Sequence, residues 1–184
     1  MTREDAPLDA LLEHIRLERQ ETHRRIFALV DDLTEAQLSE RLGSRAPSIG
    51  FHVWHLARWA DYDVELFTGS VQIWHERGLA EVWRMPPILG KADAGTELGD
   101  DASERLILPG KVELVAYASA TFSALEAFLD AVTPDTLLQP IQTSEIGDEN
   151  VVDLIFTHLV HDNRHLGMIE ALRGLLGLSG TATN

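Results

Sequence analysis

The chain has 184 residues with 30 acidic and 15 basic side chains, a formal net charge of −15 that opposes phosphate backbones and excludes nucleic acid as the expected partner. It has no cysteine, which rules out disulfides, thiolate ligands and a cysteine nucleophile, and leaves histidine and carboxylate as the side chains able to hold a metal. Apolar residues make up 45%, no run approaches the roughly 20 needed to cross a bilayer, and the charged start Met1–Asp5 does not read as a signal segment, so a soluble, cytoplasmic chain without a membrane partner is expected.

This length suits one domain, residues 1–184, with its core over about 8–176. The first predicted helix runs from Leu8 to Asp31 on apolar residues at Leu8, Leu11/Leu12, Ile15, Ile26, Leu29 and Val30. A second starts after Pro47-Ser48, with Ser48 as cap, and continues through Trp54, Leu56, Trp59 and Val64 to Phe67, where Thr68-Gly69 ends it. Residues 68–110 read as a long irregular connection with Pro86-Pro87 and the acidic run Glu97–Asp101, interrupted by a short helix at Leu79–Trp83. Val71–Trp74 is too short to assign. The third helix spans Lys111 to Val132, between Pro109-Gly110 and Thr133-Pro134. The fourth spans Val151 to Leu176, and the Gly-rich tail 177–184 is expected to be flexible. No period-two pattern competes with these helices. The expected class is all-α, a four-helix bundle.

Five of the eight histidines fall in two clusters, His52 and His55 on the second helix and His158, His161 and His165 on the fourth. His14, His23 and His75 are scattered and read as surface or capping residues. Residues four apart on a helix are neighbours, so His161 and His165 can converge on one ion. His158 lies two turns from His165, roughly 10 Å along the axis at about 1.5 Å per residue, too far to join both. A third ligand must come from another helix, and His52 or His55 can supply it. Three neutral imidazoles plus an open position is the pattern of metals that act as Lewis acids. The alternative is a metal-free network of buried neutral histidines. No histidine has a glutamate three residues before it, so a dinuclear carboxylate centre is disfavoured.

Pro47-Ser48-Ile49-Gly50-Phe51-His52-Val53-Trp54-His55-Leu56-Ala57 and His161-Asp162-Asn163-Arg164-His165-Leu166-Gly167-Met168-Ile169 resemble the helix-two and helix-four motifs of the DinB/YfiT-like metalloenzyme family. The tail 171–183 also looks like one branch of it. The resemblance implies an up-down-down-up bundle, with the long 68–110 connection letting helix three run parallel to helix two. It also implies a divalent metal, nickel or zinc, on His55, His161 and His165. His52, His158 and Asp162 then become supporting positions around the ligating rings. Asp162 stands where the family often has Glu, and Met168 where it often has Gln.

On reaction the resemblance implies less, since its members include bacillithiol-type and mycothiol-linked S-transferases and a thiol-dependent maleylpyruvate isomerase, while most have no known activity. The expectation is a metal-dependent enzyme joining a low-molecular-weight thiol to a small electrophile. Its alternatives are a metal-dependent hydrolase and a non-catalytic stress or ligand-binding protein. Arg58 and Arg164 are read as rim ion-pair residues, the four tryptophans mainly as packing, and the bundle as a homodimer through apolar helix surface.

Overall fold

The computed structural model describes residues 6–43, 45–87, 89, 90, 92–96, 98, 105–143 and 147–181. In chain order the elements are α1 (Ala6–Asp31), α2 (Glu35–Ser39), α3 (Ile49–Thr68), α4 (Ile73–Glu76), α5 (Leu79–Val82), α6 (Lys111–Ala131), α7 (Pro134–Leu137), β1 (Pro140–Thr143), β2 (Gly147–Asn150) and α8 (Val151–Leu175). The four long helices α1, α3, α6 and α8 form a four-helix bundle, and each begins and ends within two residues of its predicted bounds. Local chemistry sets these ends. Ser48 Oγ accepts from Phe51 N at 3.2 Å, Gly69 turns left-handed (φ 73°) while donating to Glu65 O, and the Asp153 carboxylate accepts from Asn150 N at 3.3 Å.

Contacts between helices fix the topology. Arg16 reaches the Leu129 carbonyl near the end of α6, while Lys111 at its start reaches the Leu33 carbonyl just beyond α1, so α1 and α6 are antiparallel. Tyr117 meets Asp61 and Phe128 stacks on Phe67, which makes α6 parallel to α3. His52 meets His165 and His158 meets Asp63, so α8 runs against α3; Arg19 meets Ile155 and Arg173 meets Leu29, so α8 runs with α1. The order is up-down-down-up, as the resemblance implied. The connection between Gly69 and Gly110 therefore joins the end of α3 to the start of a helix parallel to it.

The main core lies between α1, α3, α6 and α8, around Ile26, Trp54, Leu56, Leu114, Phe122, Leu125 and Ile169. A smaller cluster joins Leu12, Ile15, Leu129, Val132, Leu137, Val151 and Ile155 at the other end. By length and composition alone α6 could cross a membrane, against the sequence expectation; in the bundle it buries Leu114, Tyr117, Ala118, Phe122, Leu125 and Leu129.

One further expectation is corrected, and two other segments are placed. A two-stranded antiparallel hairpin, Pro140 paired with Asn150 and Thr143 with Gly147, precedes α8. Its Gly-Asp-Glu-Asn strand has no apolar alternation for periodicity to detect. The tail is held at least as far as Thr181: Arg173 Nε donates to Ser179 O at 2.8 Å, and Thr181 N donates to Glu170 Oε1 at 3.1 Å. Val71–Trp74 leads into α4, where Trp74 is buried. The run Glu97–Asp101 lies outside the described residues except for Leu98.

Candidate metal centre

From Ile49 through Asp61 every residue of α3 is buried, because α6 covers one side, α8 another and Leu89 with residues 92–96 a third. Two of its turns place His52 and His55 against α8, where His161 and His165 share one face. The structure brings His55, His161 and His165 together with one ring nitrogen each, all within 4.8 Å of one another. Ring centroids are 5.0 Å apart for His55–His161, 4.6 Å for His55–His165 and 4.4 Å for His161–His165.

Hydrogen bonds assign the tautomers. His55 Nδ1 lies 2.5 Å from the Ala94 carbonyl, which can only accept, so Nδ1 carries the proton and Nε2 presents a lone pair. That Nε2 stands 3.0 Å from His161 Nε2. His161 Nδ1 is buried without a hydrogen bond and faces Asp162 Oδ1 at 3.7 Å, a carboxylate that favours a proton on Nδ1 and a second lone pair on Nε2. Two lone pairs aimed at each other repel unless a cation lies between them. Nitrogens on one tetrahedral zinc at about 2.0–2.1 Å would stand roughly 3.3 Å apart, so this spacing needs little change to fit an ion. His165 Nδ1 is 2.8 Å from His52 Nδ1, which leaves Nε2 as the nitrogen His165 has to offer.

Burial favours the neutral form of His52, His55 and His165. It pushes His52 and His55 down to about 4, the latter despite the Ala94 carbonyl, and His165 down to about 2, where the neighbouring His55, His161 and His52 add repulsion. Neutral imidazoles with free lone pairs are what a divalent metal requires.

The supporting positions separate. His52 touches His165 directly. Asp162 is buried behind His161 and forms an ion pair with Arg19 of α1; burial opposes its charge, but Arg19, assisted by His161 and His23, holds its pKa below the usual carboxylate range. His158 hydrogen-bonds to Asp63 at 2.7 Å; burial works against its protonation, and the Asp63 charge and hydrogen bond outweigh it, raising its pKa. Its ring packs on Trp59 at 5.0 Å and lies 6.2 Å from the His161 ring, and that tryptophan also meets His161 edge-on at 6.2 Å, so His158 bears on the group from beside His161.

Two sequence readings are overturned. His23 is buried rather than on the surface: it stacks on Phe122 at 4.0 Å, bonds Glu126 through Nδ1 at 2.6 Å and lies 3.9 Å from Asp162. Arg58 is 0% exposed rather than a rim residue, whereas Arg164 is exposed as expected. Arg19 and His23 had a legible signal, since Arg19, Thr22 and His23 continue the helical spacing of Leu12 and Ile15 into Ile26. Arg58 follows Trp54 by four residues on the same buried stripe. Ala94 had none. His14 and His75 are exposed, as expected, and Trp54 and Trp74 are core residues.

A family model described as the DinB superfamily matches residues 18–169, a span that includes all three grouped histidines. The chain belongs to the DinB superfamily. Among solved structures, this DinB-superfamily chain is similar to a conserved protein from Enterococcus faecalis, with a TM-score of 0.70, 15% identity and coverage of 88% of this chain and 96% of that one. It is also similar to YfiT from Bacillus subtilis, with a TM-score of 0.63, 15% identity and coverage of 97% and 91%. YfiT is described as a probable metal-dependent hydrolase with an unusual four-helix bundle topology. At this identity the likeness speaks for the fold. No curated protein matches the chain.

Proposed function

We propose that this chain is a divalent-metal-dependent enzyme in which His55, His161 and His165 hold nickel or zinc and leave a coordination position for a reactant. The observation that carries this reading is the convergence of three imidazoles, with the Nε2 atoms of His55 and His161 3.0 Å apart. When bound there, the metal supplies Lewis acidity and lowers the pKa of a ligand in the open position. The chain's own residues set the geometry: the Ala94 carbonyl fixes the His55 tautomer, His52 orients His165, and Asp162 stands behind His161.

The first reading of the reaction is transfer of a low-molecular-weight thiol to a small electrophile. Its sulfur forms a bond to the electrophilic carbon, the leaving group departs with the electron pair of the broken bond, and the thiol proton passes to solvent. Two features support it. The chain has no thiol of its own to block the site. The carboxylate behind His161, Asp162, is engaged by Arg19 and so is not free to act as a general base on water. The second reading, hydrolysis by activated water, is favoured by the description of YfiT.

The test is metal analysis of the purified protein, then turnover of monochlorobimane with bacillithiol, mycothiol or no thiol. Thiol-dependent chloride release that disappears on chelation and in His161→Ala supports the first reading. Activity indifferent to both treatments overturns the metal enzyme, and metal-dependent, thiol-independent turnover of an ester or amide selects the hydrolase.

A further inference from the structure

We propose that Arg58 is a positioning residue for His55, acting through the strap Ala92–Thr96 that crosses α3. Arg58 does not touch His55. It holds the backbone that does. Three successive strap carbonyls reach α3: Ala92 O accepts from Arg58 Nη2 at 3.3 Å, Asp93 O from Arg58 Nε at 3.1 Å, and Ala94 O from His55 Nδ1 at 2.5 Å. Two residues further on, Thr96 Oγ1 accepts from Trp59 Nε1 at 3.1 Å.

Every donor of Arg58 is used. Besides the two strap carbonyls, Nη1 donates to Asp61 Oδ2 at 3.2 Å and Tyr117 Oη at 3.0 Å, and Nη2 donates to Gln72 Oε1 at 2.7 Å. Five N–H groups meet five acceptors, and the guanidinium lies over Trp74, 4.6 Å from the ring centroid. Nothing is left over for an anionic ligand, so the guanidinium organises rather than binds. Asp61 also accepts from Ile73 N and Trp74 N, which ties the start of the same connection to the same centre.

The strap needs this hold. Ala92 and Asp93 are both left-handed, at φ 53° and 50°, a conformation that is strained for a residue with a Cβ. They are the two residues whose carbonyls Arg58 takes. Gly95 (φ 82°) seats the strap on the wall of the histidine group: a Cβ there would lie 2.8 Å from the Trp54 ring and 2.9 Å from the Phe51 ring, and Phe51 stacks on His55 at 5.8 Å. Releasing the strap therefore frees the Ala94 carbonyl, and His55 loses the bond that keeps its proton on Nδ1 and its lone pair on Nε2.

The inference rests on the metal reading, but its first readout does not. In metal-free protein, long-range 1H–15N NMR of the imidazoles reports the His55 tautomer, and zinc affinity is then measured against a fluorescent chelator. The variants are Arg58→Lys, whose point charge cannot span five acceptors, and Gly95→Ala, which changes no charge and lies outside the long helices. In a variant whose far-UV circular dichroism matches wild type, His55 is expected to lose the pure Nδ1–H pattern and zinc Kd to rise about 10- to 100-fold. A folded variant with lowered Tm but wild-type His55 signals and zinc affinity assigns Arg58 a structural role only and overturns the proposal. If wild-type protein binds no zinc, or His161→Ala binds it equally well, the metal reading fails while the His55 tautomer still decides the role of the strap.

Discussion

His55 Nε2 and His161 Nε2 face each other at 3.0 Å across the contact between α3 and α8. The Ala94 carbonyl holds the proton of His55 on its far side, and Asp162 favours the same for His161. With both protons on Nδ1 the two Nε2 lone pairs are opposed, an arrangement that favours a cation between the rings. Among the described residues, Ala94 and His52 supply hydrogen bonds from outside the group that offset part of the cost of burying these imidazoles.

Removing a ligand should therefore abolish tight binding without unfolding the bundle. His55→Ala, His161→Ala and His165→Ala are each expected to weaken zinc or nickel binding at least 100-fold in a chelator competition while far-UV circular dichroism is unchanged. In wild type, metal at 100 times its Kd adds about 2.7 kcal/mol of stability, which for a chain of this size raises Tm by roughly 5–10 °C. The three variants should show no such rise. A rise in all three would place the metal elsewhere.

The Arg19–Asp162 pair joins α1 to α8 with both side chains buried. Breaking it on one side leaves a lone buried charge, so Arg19→Met or Asp162→Leu alone is expected to cost about 3–5 kcal/mol in urea unfolding. The double variant Arg19→Met/Asp162→Leu should recover most of that loss, since it removes both charges. Its zinc affinity should stay below that of wild type, because His161 loses the carboxylate behind it. Full recovery of both properties would confine Asp162 to a packing role.

The four long helices were legible because their boundaries are chemical: Ser48, Gly69, Gly110 and Thr133-Pro134 stand where the helices start or stop. The pair His161 and His165 was legible from spacing alone, whereas the choice of His55 over His52 needed the family resemblance. Thr34 and Gln37 form a reciprocal capping box that opens α2, a signal present in the sequence but unread. The hairpin and the strap were not legible, because both are held by backbone groups. The Ala94 carbonyl is identical in every amino acid, so no residue type announces that it will meet His55.

Metal-free stability should fall on acidification. His52 and His55 are lowered to about 4 in the folded state against about 6.5 unfolded, so below pH 6.5 the unfolded chain binds protons the native state refuses. Stability present above pH 6.5 is lost as pH falls, by about 3 kcal/mol for each of the two at pH 4, and His165, lowered further to about 2, adds to the loss. His158 has the opposite sign: its pKa is raised beside Asp63, so its contribution is complete below its unfolded value and lost as pH climbs through the raised one. Urea midpoints from pH 4 to 9 should trace a dome. His158→Gln should flatten only the alkaline limb.

His52 is 3% exposed, and its Nδ1 lies 2.8 Å from His165 Nδ1. If His165 presents Nε2 to a metal, its Nδ1 carries a proton, which His52 must accept on a neutral Nδ1; burial, which pushes His52 down to about 4, keeps that lone pair available. His52→Phe fills similar space without an acceptor and is expected to weaken metal binding about 10- to 100-fold without abolishing it. His52→Asn can place an amide oxygen near the Nδ1 position and should restore part of the affinity. Complete loss of metal in His52→Phe, matching His161→Ala, would instead make His52 a ligand and overturn its assignment as the group that orients His165.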